Sequence, residues 1–202
     1  MNMNLFFLAS ISYLIGFVFL LIIRSYDKYE KEPLGRLVLF SFLGGIVSVL
    51  VSSCLYFFVH PAYTFTDAIL KVGTVEEFSK LATLFLLYKI IRKDFDEIVD
   101  GIIYTAAIAL GFSVIENIFY AINADYSYTL LLKRFLFATI GHMAFSVYLG
   151  IAFYVHKKIN RNFLGLFVAF ILSTLAHGFY DGVLFNKHLT FLFIPVYLLL
   201  IY

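Results

Sequence analysis

Long, continuously apolar stretches alternate with short polar links along the chain. The apolar stretches cover residues 5–23, 34–59, 68–91, 101–122, 134–155, 163–184 and 189–202. They lack the apolar–polar alternation that is typical of strands in a membrane barrel. Most have the ~20 residues that a helix needs to cross a bilayer, although the last is short and contains Pro195. The pattern predicts an all-α, polytopic bundle of about seven transmembrane helices, forming a single domain over residues 1–202.

The third stretch is the one whose span is open to question. Its cleanly apolar part, residues 81–88, is only ~12 Å long as a helix. To cross ~30 Å of hydrocarbon, the helix must also include Glu76, Glu77 and Lys80. The alternative is that residues 67–80 form a surface or re-entrant segment. We favour the spanning interpretation, which places three ionisable side chains at bilayer depth.

Composition and charge agree with a membrane protein. The chain is 62% hydrophobic and 14% charged, which excludes an ordinary soluble domain. A single cysteine, Cys54, excludes an intrachain disulfide and a cysteine-based metal site. Ten of the fifteen Lys and Arg residues lie in the links 24–36, 88–100 and 156–162. Because basic residues concentrate in cytoplasmic links, this asymmetry predicts that the N-terminus is outside.

Ionisable residues recur at one depth in four of the predicted helices. They are Glu76 and Glu77, Glu116 with Asn117, His142, and His177 with Asp181. A rise of ~1.5 Å per residue from the predicted outer helix ends places all of them about 5–14 Å below the outer surface. Charged groups at such depth are costly and usually functional. We therefore predict a site in the outer half of the bilayer.

Local spacing refines this hypothesis. Glu76 and Lys80 are four residues apart and share a helix face, as do His177 and Asp181. The adjacent residues Glu76 and Glu77 point about 100° apart, so only one of them is expected to face a reacting centre. The other then orients a neighbour or pairs with Lys80.

The remaining polar residues have a simpler interpretation. His60, His156 and His188 fall in predicted links, where a solvated surface position is expected. The sequence DKYEKEP at 27–33 is interpreted as a juxtamembrane turn.

The residue types in the predicted site favour hydrolysis. A carboxylate and a histidine together can take a proton from water, and a second histidine can stabilise an oxyanion. This chemistry requires no cofactor. The same set could instead hold a divalent metal such as zinc, with Glu76, His142, His177 and Asp181 as candidate ligands, although the motif HExxH is absent. We find no serine or cysteine nucleophile motif, no phosphate-binding loop and no basic surface for nucleic acid.

The motifs that carry these residues resemble the PrsW family of intramembrane proteases. They are YEKEP at 29–33, VEEFSK around Glu76 and Glu77, DGIIYTAAIALGFSVIEN at 100–117, RFLFATIGH ending at His142, and HGFYD at 177–181. The resemblance covers roughly residues 27–185. The PrsW family is distantly similar to the type II CAAX prenyl endopeptidases and the wider CPBP group.

The resemblance to the CPBP group implies a role for each site residue. Glu76 would be the general base, assisted by His142, while His177 and Asp181 would line the oxyanion side. From their depth and spacing, and not from the resemblance, we predict Lys80, Glu116 and Asn117 as supporting residues. The sequence departs from the wider pattern in two places. Lys80 follows Glu77 by three residues where that group has an arginine after four, and Asp181 replaces a common asparagine. An ionised aspartate is a poor oxyanion partner, so metal dependence stays open.

The resemblance also implies a biological role. PrsW proteins resemble site-1 proteases of the cell membrane that cut a single-span anti-sigma factor on its extracytoplasmic side during envelope stress. Three alternatives remain. One is a proton-coupled transporter with a Glu/His relay. Another is a CAAX-type prenyl peptidase, although its cytoplasmic substrates fit poorly with an outer site. The third is a non-catalytic membrane protein with an inherited site.

Overall fold

A computed structural model describes residues 3–28, 30–161 and 163–201, and these residues form helices joined by short links. The helical segments are α1 (Met3–Tyr26), α2 (Leu34–Val59), α3 (65–91), α4 (Ile98–Asn123), α5 (Tyr128–Asn160), α6 (Phe163–Phe185) and α7 (Phe193–Ile201). A 3₁₀ turn over Thr190–Leu192 leads into α7. No strand occurs among the described residues. The predicted all-α class is therefore confirmed.

Five of the helices, namely α1, α2, α4, α5 and α6, are long and apolar enough to cross a membrane. Two predicted spans do not meet that description. The main part of α3, Thr74–Ile91, carries two glutamates and two lysines, and α7 has nine residues. The chain is a multi-pass membrane protein, whereas the count of about seven spans and the outward N-terminus stay predictions.

Large apolar side chains cover the outside of the bundle. Phe57 and Phe58 on α2 are 71% and 72% exposed, and Leu199 on α7 is 79% exposed. In water such a surface would be unfavourable, but in a bilayer lipid tails surround it. Polar side chains are buried inside the bundle instead, among them Glu77, Lys80 and Asn117. This inverted distribution is what the composition predicted.

Some predicted helix boundaries were wrong, and the largest error concerns α5. This helix begins at Tyr128 rather than at residue 134, and the hydroxyl of Ser127 accepts a hydrogen bond from the backbone N–H of Leu130 at its start. Arg134 therefore lies inside a helix rather than at its first residue. His156 also lies inside α5, is only 6% exposed and packs against Phe163. The prediction of a solvated position for His156 was wrong because the helix continues to Asn160.

The helix α4 lies at the centre of the bundle, between α2 and α5. Glycines make this close packing possible. A Cβ atom at Gly111 would collide with the carbonyl oxygen of Ser41 in α2, and one at Gly101 would collide with that of Gly150 in α5. Small residues at helix crossings are typical of membrane bundles, where lipid gives no hydrophobic drive for association. The crossings fix α2, α4 and α5 around the polar interior.

Wide π-helical turns precede two of the predicted site residues. One covers Ala68–Gly73 in α3, just before Glu76, and another covers Phe135–Thr139 in α5, just before His142. Such turns are rare and frequent at functional sites, because the extra residue changes which side chains face a neighbour. Gly73 at the end of the first turn allows α3 to approach α6, since a Cβ there would lie 2.5 Å from the carbonyl oxygen of Thr174.

Candidate active site

A cavity of about 510 Å³ opens at the end of the bundle where α2 and α6 end and α3 begins. Its walls carry both aromatic and charged side chains. They are Tyr56, Pro61, Ala62, Tyr63, Val72, Glu76, Glu116, Tyr120, Arg134, Ala138, His142, Tyr180, Asp181, Leu184 and Phe185. Four of the eight residues predicted for the site line this cavity, namely Glu76, Glu116, His142 and Asp181.

Glu76 is the carboxylate that faces the cavity. One oxygen, Oε1, accepts a hydrogen bond of 2.8 Å from the hydroxyl of Tyr56. The other, Oε2, is buried and accepts no hydrogen bond from the described residues. It lies 3.5 Å from His177 Nε2 and 4.0 Å from His142 Nδ1. A buried carboxylate oxygen without a hydrogen bond destabilises the folded protein unless another group binds it.

Glu77 points away from the cavity and into the bundle. Its Oε1 accepts hydrogen bonds from Lys80 Nζ at 2.6 Å and from His177 Nδ1 at 2.9 Å, and its Oε2 accepts one from the Ser146 hydroxyl at 2.8 Å. Both Glu77 and Lys80 are completely buried. Of the two roles predicted for the second glutamate, the structure contains both: Glu77 pairs with Lys80 and orients a histidine.

The two histidines lie against each other at the centre of the cluster. Their rings are perpendicular, with 4.8 Å between centroids. His142 Nε2 lies 3.0 Å from Glu116 Oε2, and its Nδ1 lies 3.1 Å from Lys80 Nζ. A carboxylate only accepts and an ammonium only donates. His142 therefore carries its proton on Nε2 and turns the lone pair of Nδ1 inward.

Arg134 and Asn117 complete the cluster on the α5 side. Arg134 donates from Nη2 to Glu116 Oε2 and from Nε to Asn117 Oδ1, each at 2.7 Å. The amide of Asn117 donates to the Thr139 hydroxyl at 2.9 Å. The guanidinium also lies over the ring of Tyr120, 3.8 Å from its centroid. Glu116 is thereby shared between an arginine and a histidine.

Asp181 lies beside the centre rather than inside it. Its Oδ2 is 3.4 Å from His177 Nε2, and the side chain is 18% exposed on the cavity wall. It does not belong to the set of converging donor atoms that Glu76, His142 and His177 form within the described residues. Of the four metal ligands considered from the sequence, three therefore converge and Asp181 stands next to them.

Tyr56, Ser146 and Arg134 are among the residues of this network that the sequence analysis did not predict. Tyr56 lies in a long apolar stretch with many other aromatic residues, so nothing marked it. Ser146 is a small polar residue in an apolar stretch. Arg134 stood at the outer end of the predicted stretch 134–155 because the start of α5 was placed too late. An intramembrane arginine beside a glutamate one helix away would have been the available signal.

The family comparison decides what kind of protein has this site. Residues 32–202 match the model of the PrsW family intramembrane metalloprotease. The chain belongs to the PrsW family. The predicted resemblance is thus confirmed, and membership implies a peptidase.

Curated PrsW relatives agree with this assignment. Protease PrsW of Clostridioides difficile is 32% identical over 202 residues, which cover 93% of this chain and 82% of the relative. The proteins of the same name from Geobacillus kaustophilus and Bacillus subtilis are each 32% identical, over 80% and 78% of this chain and 72% and 73% of their own lengths. No solved structure matches the chain.

The name of the PrsW family model implies a metal, and the residues of this chain fit one. Donor atoms of Glu76, His142 and His177 all lie within 4.8 Å of one another. The bare oxygen Glu76 Oε2 lies at 3.5 and 4.0 Å from the histidine nitrogens, close to the ~3.3 Å that separates ligands of a tetrahedral zinc ion. Binding of a metal would draw the three donor atoms, which lie within 4.8 Å of one another, closer together.

The surroundings of the two histidines support the same conclusion. Metal-binding histidines usually donate their other N–H to a carboxylate, which fixes the ring. His177 Nδ1 contacts Glu77 and His142 Nε2 contacts Glu116 in this way. Lys80 Nζ lies 3.1 Å from His142 Nδ1, the nitrogen that would bind the metal. With the metal bound, Lys80 would keep its shorter hydrogen bond of 2.6 Å to Glu77. The donor set therefore fits a metal centre, with one carboxylate beside the outer nitrogen of each histidine.

Proposed function

We propose that this protein is an intramembrane endopeptidase that hydrolyses a peptide bond at Glu76, His142 and His177, with a divalent metal held by these three residues. Glu77 and Glu116 orient the two histidines, and Asp181 lies within reach of the water that attacks the substrate. The observation that carries the proposal is the bare oxygen of Glu76, which points toward two oriented histidine nitrogens beside a cavity.

In the proposed reaction, the metal and the side chains of this protein have different roles. When bound, a metal such as zinc would polarise the scissile carbonyl and favour ionisation of water near neutral pH. Asp181, on the cavity wall and 3.4 Å from His177 Nε2, is placed to hold that water and accept its proton. The hydroxyl of Tyr56 keeps Glu76 in place by occupying its second oxygen.

We propose a single-span membrane protein as the substrate, cut near the extracytoplasmic face of the cell membrane. One observation supports this placement. The cavity opens at the end of the bundle opposite to the links with most of the basic residues, and those links are expected to be cytoplasmic. Resemblance to the PrsW family implies an anti-sigma factor as the substrate.

The proposal is tested with purified protein in nanodiscs and a panel of single-span membrane proteins. Cleavage products are identified by mass spectrometry, and bound metal is measured by elemental analysis. We expect one metal per chain, cleavage that a chelator abolishes and added metal restores, and loss of both metal and cleavage in Glu76→Gln. Asp181→Asn should keep the metal and lose cleavage. Glu30→Gln, an exposed glutamate at the other end of the bundle, serves as the matched control.

Other outcomes assign the chemistry differently. Cleavage that depends on Glu76 but survives chelation, without stoichiometric metal, would remove the metal from the proposal and make Glu76 the general base assisted by His142. Full activity of Glu76→Gln would contradict the proposed site altogether.

A further inference from the structure

Arg134 lines the cavity, but it has no role in the proposed hydrolysis. It is the arginine that lines the cavity, and its two strongest contacts run to neighbours rather than to the centre. Its Nη2 and Nε donate to Glu116 Oε2 and Asn117 Oδ1, each over 2.7 Å. Hydrogen bonds from an arginine to a carboxylate are short and directional. Arg134 therefore holds Glu116 in one orientation.

The orientation of Glu116 matters because its same oxygen contacts His142. Glu116 Oε2 accepts from Arg134 Nη2 at 2.7 Å and from His142 Nε2 at 3.0 Å. A proton on Nε2 leaves the lone pair on Nδ1, the nitrogen that lies 4.0 Å from the bare oxygen of Glu76. Glu116, which contacts Nε2 on the side of the ring away from Glu76, thus sets the tautomer of His142.

Arg134 is itself held firmly enough to act in this way. The Asn117 oxygen in α4 accepts from Nε, and the Asn117 amide donates to Thr139 in α5, so the contact between the arginine and α4 is itself held by a second hydrogen bond. The face of the guanidinium covers the ring of Tyr120. With a side chain only 18% exposed, Arg134 is restricted from turning into the solvent. A lysine could not make both of its planar contacts.

We propose that Arg134 is a positioning residue for His142, acting through Glu116, and that it fixes the imidazole in the form that the centre requires. Arg134 does not contact the reacting atoms. The inference rests on the proposed function, because the centre formed by Glu76, His142 and His177 is what the oriented histidine serves.

The experiment compares Arg134→Gln and Arg134→Lys with wild type in nanodiscs. Zinc affinity is measured by competition with a chromogenic chelator, cleavage by kcat/KM, and folding by thermal unfolding. The loss of an outer partner of a metal-binding histidine typically costs 10–100-fold in affinity or activity. We expect a loss of about that size for zinc affinity in Arg134→Gln, with a smaller loss in Arg134→Lys because the charge beside Glu116 remains.

Lys133→Gln is the matched control. It removes the same charge from the neighbouring residue of the same helix, and Lys133 is exposed. We expect this exposed substitution to leave zinc affinity unchanged within about twofold. An equal loss in Lys133→Gln would show that net charge at this end of the bundle, and not the contact with Glu116, controls the affinity, and would overturn the proposal.

A double-mutant cycle separates action through Glu116 from direct action on the substrate. If Arg134 acts through Glu116, then Arg134→Gln should cost little more once Glu116→Gln is already present. An undiminished cost in that background would overturn the proposal and favour a direct contact of Arg134 with substrate. Unchanged zinc affinity and cleavage in a folded Arg134→Gln would overturn it as well.

The proposed function fails in a different way. Wild type would then bind no zinc or cleave no substrate. In that case the tautomer of His142 still tests the positioning role, through ¹⁵N NMR of labelled histidine with His142→Gln for assignment. Protonation at Nε2 in wild type and its loss in folded Arg134→Gln would support the role, and the same tautomer in both would contradict it.

Discussion

The two ends of the bundle both bury carboxylates, but they use them differently. At the end opposite to the cavity, Asp27, Glu32 and Asp100 are 2–3% exposed, and with Tyr104 they form what we call the link cluster. Tyr104 donates its hydroxyl hydrogen to Glu32. Asp100 Oδ2 accepts the backbone N–H groups of residues 96 and 97, which closes the start of α4.

The cavity end differs in three respects. It contains two histidines among its carboxylates, it leaves Glu76 Oε2 without a hydrogen bond from the described residues, and it has a cavity of about 510 Å³. Beside the link cluster the cavity volume is about 140 Å³. A buried acidic group therefore does not by itself indicate a reaction centre. What distinguishes the cavity end is a buried carboxylate oxygen that accepts no hydrogen bond from the described residues and lies beside two histidine nitrogens.

The largest expected effect concerns the same substitution at the two ends. Glu76→Gln should lower kcat/KM by at least ~100-fold, because it removes a proposed metal ligand and loss of even an outer partner of such a ligand costs 10–100-fold. Glu32→Gln should keep near wild-type activity, since Glu32 lies outside the cavity lining. Cleavage of a single-span substrate by both purified variants measures the difference. Comparable losses in two folded variants would erase the distinction between the ends.

The next effect concerns stability at the cavity end. Lys80→Met leaves the buried carboxylate of Glu77 without its cation, and breaking a buried pair in this way typically costs 3–5 kcal/mol. Lys71→Met breaks the ion pair with Asp67, which is more exposed than the Glu77–Lys80 pair, and we expect no measurable loss of stability. Thermal unfolding in detergent compares the two variants. Equal stability of both would show that the Glu77–Lys80 pair does not stabilise the folded state.

A smaller effect is expected from helix packing next to the site. A Cβ atom at Gly178 would collide with the backbone of Ile69 in α3, whereas one at Gly35 has no neighbour within 4 Å. Overpacking of this kind costs about 1–3 kcal/mol, so Gly178→Ala should destabilise the bundle and reduce cleavage. Gly35→Ala is the control and should be neutral or slightly stabilising. Wild-type stability and activity in Gly178→Ala would mean that α3 and α6 can separate without consequence.

The smallest effect concerns the link cluster and pH. Burial, reinforced by Asp100, raises the pKa of Glu32 from 4.5 to about 8. The folded chain thus retains a proton that the unfolded chain releases, so stability should fall as pH rises from about 4.5 to 8. Glu32→Gln has no charge to bury, and its Tm should fall less. We expect a difference of about 2–4 °C at pH 8, which corresponds to roughly 1 kcal/mol in a chain of this size. Parallel pH profiles of Tm would contradict the assignment to Glu32.

The apolar stretches predicted some helix bounds well and others poorly. The bounds of α2 agree with the predicted segment 34–59 because Pro33 directly precedes its apolar run and His60 and Pro61 directly follow it. The start of α5 was missed because polar residues of its first turns look like a link. The sequence DKYEKEP was interpreted as a turn, and the structure places Glu32 from it in a buried cluster. The pattern of apolar and polar residues does not predict which link packs against the helices.

Within the candidate site, the sequence indicated the residue types and their approximate level, because ionisable groups in apolar helices are rare and costly. It also indicated that the two adjacent glutamates must diverge, since successive residues on a helix point ~100° apart. Spacing alone left open which of the two faces the cavity, although the resemblance implied Glu76. That choice depends on how far α3 is rotated against α5 and α6, and the π-helical turn before Glu76 changes this rotation.

The sequence by itself determined that this chain is an all-helical membrane protein of the PrsW family with glutamates and histidines inside the bundle. Those properties follow from local composition, spacing and motif. The tertiary structure alone decided that Glu76 faces the cavity, that Glu77 and Glu116 orient the histidines, and that Arg134 and Tyr56 belong to the network. Each of these is a contact between helices, and such contacts depend on crossing geometry that no single segment of the sequence encodes.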